Sequence, residues 1–233
     1  MGTVVVILVL LTLVGLAVAI LSVISERKRR AALSALSGTL GMRYSFYDPF
    51  AVETHFSYMS LFRLGGDRYA FNVISGEYRT GRLLCFDYHY ETHSTDSKGH
   101  RRTTHHYNSC VLAPVDAAFR PLLIRPENIL DKLAAVVGLD DIDFESAEFS
   151  RRFYVKGSDK KFAYDIVHPR AMELLLLHAG EGYTFELRSE ALLIHRQGKW
   201  DPERVRAALD LTVEFVDLIP EYVWQDARAR SGR

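Results

Sequence analysis

These 233 residues contain no glycine-rich phosphate loop, Gly-x-Ser-x-Gly elbow, Cys-x-x-Cys pair or His-Glu-x-x-His helix. The commonest signatures of nucleotide, acyl-transfer, dithiol and zinc-protease chemistry are therefore missing, and no cofactor is expected. Net charge is missing too, because 29 basic residues balance 29 acidic ones. No field strong enough to gather nucleic acid is implied. Cysteine is scarce: Cys85 and Cys110 sit in apolar, strand-like stretches and read as buried thiols rather than a disulfide framework. With only seven prolines and 12% aromatic residues, nothing before the last few residues has the composition of a disordered chain.

Charge and proline are also absent from residues 4–24, and this absence is the most informative. A helix over that run is roughly 30 Å long at about 1.5 Å per residue, the thickness of a bilayer's hydrocarbon core. It is predicted to be a single transmembrane span. Arg27, Lys28, Arg29 and Arg30 follow it at once, whereas Met1, Gly2 and Thr3 carry only the terminal amine. Basic residues stay on the cytoplasmic side, so the N-terminus is expected outside, the remainder inside, and the four basic side chains at the membrane surface. The small residues Ala17 and Ala19 raise a cleaved signal peptide as the competing reading. It fits poorly, because the apolar run exceeds the roughly 7–15 residues of a signal core and no basic residue precedes it. Gly15 and Ala19 have the spacing of a small-residue packing face, which opens a route to a homo-oligomer.

Beyond the span, Ala31, Leu33, Leu36 and Leu40 suggest a juxtamembrane helical stalk ended by Gly41. Residues 42–113 read as β-rich. Leu84, Phe86, Tyr88 and Tyr90 alternate with Cys85, Asp87, His89 and Glu91, and a polar turn at 96–99 returns the chain through 103–113. Pro126 then suggests a helix to Gly138, and 148–156 a strand. Ser158 and Asp159 can cap a short helix over 162–167, where a strand is the alternative, Pro169 starts another helix, 183–188 and 191–196 suggest a hairpin, and Asp201 with Pro202 opens the last helix, which stops at Pro220. The tail from Gln225 to Arg233 reads as frayed. The expected fold class is α+β: a transmembrane helix followed by an antiparallel sheet packed with helices.

Three groups of residues invite chemistry. His89, Glu91 and His93 share one strand face, and His105 or His106 returns on the partner strand, with His106 the one chosen for a zinc-like set. The acidic run Asp140, Asp141, Asp143, Glu145 and Glu148 fails as a calcium loop, because Ser146 and Arg152 stand where glycine and glutamate are needed. On a strand with Phe149, Phe153 and Val155, Arg151 would be partly buried and would need an acidic partner, a structural ion pair. His55, His168, His178 and His195 have no partner assignable from spacing and read as structural.

The run Glu148-Phe-Ser-Arg-Arg-Phe-Tyr-Val155, followed by 159–165 and 169–175 and preceded by 72–78, 86–88 and 124–127, resembles a family of uncharacterised bacterial proteins known as a domain of unknown function. The resemblance implies membrane anchoring and an α+β domain, and it brings no catalytic residue or cofactor. The hairpin histidines lie outside the resembling pattern. A membrane-anchored binding or scaffolding module at the bacterial inner membrane is therefore expected, with the bilayer and another membrane-associated protein as partners. The second reading is an enzyme, a metal-assisted hydrolase built on the histidine hairpin.

Overall fold

A computed structural model describes residues 2–79, 81–95, 99–127 and 139–232. The helix expected between Pro126 and Gly138 lies almost wholly outside the described residues, and Pro126 itself ends a strand rather than starting a helix.

The fold is α+β, as its periodicities indicate. Helix α1 (Gly2–Thr39) runs without interruption from the apolar segment into the domain. It is long and apolar enough to cross a membrane, and the described apolar side chains of its first half, such as Leu10, Leu16 and Leu21, are exposed. Its second half is no free stalk: Leu33, Leu36 and Ser37 are buried against the sheet. A helix whose apolar surface spreads all round at one end and narrows to one stripe at the other suits two different surroundings.

Among the described residues seven strands follow: β1 (Arg43–Tyr47), β2 (Gly66–Tyr78), β3 (Gly81–Thr95), β4 (Arg101–Pro126), β5 (Asp140–Asp141), β6 (Phe153–Gly157) and β7 (Thr184–Gln197). They form one antiparallel sheet in the order β1-β2-β3-β4-β6-β5, with β7 also paired to β4. β4 is long enough for one of its edges to pair with β3 early and with β6 late, while β7 follows its other edge. The hairpin expected between 183 and 196 is in fact this single strand. Ser189 takes φ 48° where the β4–β7 register shifts, so the alternation changes phase without the chain turning back.

Alternation along β3 divides the core. Leu83 and Cys85 face the helical layer, which includes α4 (Lys160–Ile166), α5 (Pro169–Leu177), α6 (Pro202–Asp217) and α7 (Glu221–Ser231). Leu84, Phe86, Tyr88 and Tyr90 face the opposite side, covered by Val52 of the short helix α2 (Val52–His55) and by Met59, Leu61 and Phe62. Cys85 and Cys110 fall on opposite faces and are free thiols, and burial pushes both well up, so neither is a nucleophile. The strand expected at 148–156 is half helix. Ser146 accepts the Phe149 amide and starts α3 (Ala147–Arg152), a cap with Glu148 in the first turn that outweighs the strand-like alternation. The tail expected to fray forms α7, where Val223 and Ala227 are buried and Trp224 packs on Phe119 at 4.9 Å.

Candidate functional site at the anchor junction

The face of β3 that carries Leu83 and Cys85 continues as Asp87, His89 and Glu91. Apolar residues give way to polar ones as the strand leaves the core, and two adjacent clusters form.

The first joins the anchor helix to the sheet. Asp87 is 2% exposed and accepts four hydrogen bonds: Arg29 Nη1 at 2.6 Å and Nη2 at 2.9 Å, Asn72 Nδ2 at 2.8 Å, and Ser109 Oγ at 2.7 Å. Arg29 also donates Nε to the Trp200 carbonyl at 2.8 Å, and Ser109 Oγ accepts the Trp200 amide at 3.0 Å. Tyr44 donates to Asn72 Oδ1 at 2.7 Å, and Asn72 takes φ 52° at an irregularity of the β2–β3 pairing. A buried carboxylate matched by a bidentate guanidinium and two neutral donors has its main lone-pair directions filled. One turn nearer the apolar run, Glu26 pairs with Lys199 at 2.7 Å. Arg30 lies 4.1 Å over the Phe46 ring.

These contacts correct the expectation of four basic residues at the membrane surface. Arg27 and Lys28 are exposed. Arg29 and Arg30 instead hold the domain. Arg29 follows Ile24 by only five positions, about 8 Å of helix, so the sheet is fastened next to the end of the apolar run.

The second cluster comprises His89, Glu91 and His105. Glu91 lies opposite His105 across the β3–β4 ladder, and His89 lies opposite Tyr107. His105 Nδ1 stands 2.9 Å from Glu91 Oε1 and 3.1 Å from His89 Nε2, while His89 Nε2 and Glu91 Oε1 are 4.0 Å apart. His89 is 2% exposed, walled by Tyr69 and Tyr107, and its Nδ1 donates to the Asp67 carbonyl at 3.0 Å. That bond leaves Nε2 of the neutral ring unprotonated. The carbonyl is set by the turn before β2: Gly65 takes φ 57°, and a Cβ there would come within 2.1 Å of the Glu91 carbonyl oxygen. Only glycine fits.

His106, the fourth member expected from the sequence, points to the other face, stacks on Tyr90 at 4.6 Å and lies 2.9 Å from Thr92 Oγ1. The reason is register. A four-residue turn at 96–99 would put His106 opposite His89, whereas Thr95 pairs with Arg101, one residue later. A shift by one exchanges the faces. His93 lies outside the triad, 3.0 Å from Thr103 Oγ1, and forms a second group with Asp67 and Glu91.

The ion pair expected at Arg151 is corrected as well. Arg151 is exposed on α3, and the arginine buried nearby is Arg125, whose guanidinium lies 4.3 Å over Tyr154. In the acidic run Asp141 meets Lys156 at 3.6 Å and accepts from Tyr154. Of the isolated histidines, His55 and His168 bond to the carbonyls of Phe50 and Leu218 at 2.7 and 2.9 Å. His195 is fully buried, neither ring nitrogen has a partner among the described residues, and desolvation pushes it down to about 4. Sequence reasoning missed the Arg29–Asp87 pair, for which the only signal was an aspartate on the inward phase of an apolar strand.

No protein-family model and no curated protein matches the chain. Among solved structures, it is similar to the mycobacterial trehalose monomycolate transport factor A, at 9% identity and a TM-score of 0.58. The likeness covers 83% of this chain and 97% of that one. At this identity it is the fold that is shared.

Proposed function

We propose that this chain is a single-pass, membrane-anchored binding module whose α+β domain is held in a fixed pose on the cytoplasmic face of a bacterial inner membrane, where it docks a membrane-embedded partner. The observation that carries this reading is the unbroken helix α1, apolar at one end and locked to Asp87 through Arg29 at the other. A flexible tether would let the domain wander. A helix clamped within about 8 Å of its apolar end presents one surface to whatever lies beside it in the bilayer. The basic residues on the domain side of the span support the cytoplasmic orientation. The shared fold with a transport factor supports a role in assisting a membrane protein, and the resemblance to anchored bacterial proteins of unknown function points the same way.

The test combines topology with capture. Protease added outside intact cells is expected to leave the domain whole, and the membrane-bound chain to keep its full intact mass. Affinity capture from solubilised membranes is expected to return one membrane protein reproducibly with the natural chain and to lose it with the double variant Arg29→Ala/Asp87→Asn, which removes both charges of the joint together, circular dichroism checking that the anchored domain stays folded. A domain digested from outside, a chain shortened by about 19 residues, or capture indifferent to the double variant would overturn the proposal.

A further inference from the structure

We infer that His89, Glu91 and His105 form a zinc-binding site beside the anchor junction. This goes beyond the docking role and does not depend on it. The three donor atoms are His89 Nε2, His105 Nδ1 and Glu91 Oε1, separated by 3.1, 2.9 and 4.0 Å. Donors each about 2 Å from a tetrahedral zinc stand roughly 3.3 Å apart, so small rotations of the His105 and Glu91 side chains bring all three atoms to zinc distance. Two histidines and a glutamate form a recurrent three-ligand set for zinc, with a fourth position left to water.

The surroundings suit the ion for separate reasons. His89 already has the tautomer a ligand needs, because its Nδ1 proton is committed to the Asp67 carbonyl. Such an outer bond orients the ring and raises the basicity of the other nitrogen. Tyr69 and Tyr107 hold the imidazole between them, so little side-chain freedom is lost on binding. Without metal, the His105 Nδ1 proton is shared between Glu91 and His89. When zinc binds, that proton must leave Nδ1, for Nε2 of the same ring or for solvent, and the site gains a dication beside one carboxylate. The His105 side chain is 55% exposed, which gives the ion an entry path and water its place. The neighbouring group of Asp67, Glu91 and His93 shares Glu91 but has two exposed members. It lacks the buried, pre-oriented imidazole, so the first set is preferred.

Zinc chloride titrated into the full chain in detergent micelles, followed by calorimetry and by metal analysis after dialysis, tests the inference. One zinc per chain is expected, with retention lost in His105→Ala and Glu91→Gln, and kept in His93→Ala and His106→Ala. His105 is exposed, so its variant folds; circular dichroism before titration checks this. The cobalt form is expected to show the intense visible bands of a four-coordinate ion, absent in His105→Ala. No retained zinc in the natural chain, equal retention in His105→Ala, or loss in His93→Ala would each overturn the site.

Discussion

Asp87 and Glu91 are carboxylates on the same face of β3, but one is closed and the other open. Asp87 is surrounded by four donors and is 2% exposed. Glu91 has a 16% exposed side chain and takes its hydrogen bond from an exposed histidine, His105. A buried charge that leaves an acceptor unfilled costs several kcal/mol, so the closed cluster tolerates no loss. An open cluster has water to replace any partner that leaves, so it can exchange ligands without loss of fold. The difference separates a joint from a site, although both are built from the same kinds of side chain.

Breaking the joint is expected to have the largest effect. Asp87→Ala leaves the Arg29 guanidinium buried without its carboxylate and should cost about 3–5 kcal/mol, read as a lower denaturation midpoint of the micelle-held domain. His195 sharpens the comparison as a buried polar group with no partner among the described residues. Its native state binds the proton only near pH 4, whereas the unfolded chain binds it near 6.5. The stability that its neutral form allows is therefore present above pH 6.5 and is lost as pH falls toward 4, by about 3 kcal/mol in total. His195→Leu should flatten that acid limb in urea midpoints measured from pH 7 to pH 4; an unchanged slope would remove His195 as its cause. The smallest effect belongs to the open cluster. In metal-free buffer, His105→Ala is expected to move stability by no more than about 0.5 kcal/mol, since surface changes away from special features seldom do more. A drop as large as that of Asp87→Ala would mean that the two clusters are one structural unit.

Much of the fold was legible because its signals are local. The two-residue period of β3, the caps at Asp159 and Asp201, and the proline starting α5 each act within a few residues, and the structure keeps all of them. The errors came where local signals competed or where register mattered. Ser146 capped a helix inside an alternating run, and Ser189 put a bulge where a turn seemed due. The terminal residues fold because Val223, Ala227 and Trp224 find the sheet, and composition alone does not reveal such a surface. The histidine pairing missed by one residue, for two-residue periodicity fixes which residues share a face on one strand but not how two strands align.

From its own order of residues the chain determines an apolar helix long enough for a bilayer, an α+β domain after it, and His89 and Glu91 on one face of β3, because helix length and strand period are properties of consecutive residues. Only the tertiary structure decided that Arg29 turns inward to Asp87, 58 positions away, and that His105 rather than His106 completes the triad. Both depend on how distant segments dock, and docking is set by burial and hydrogen-bond satisfaction over the whole core rather than by any single stretch.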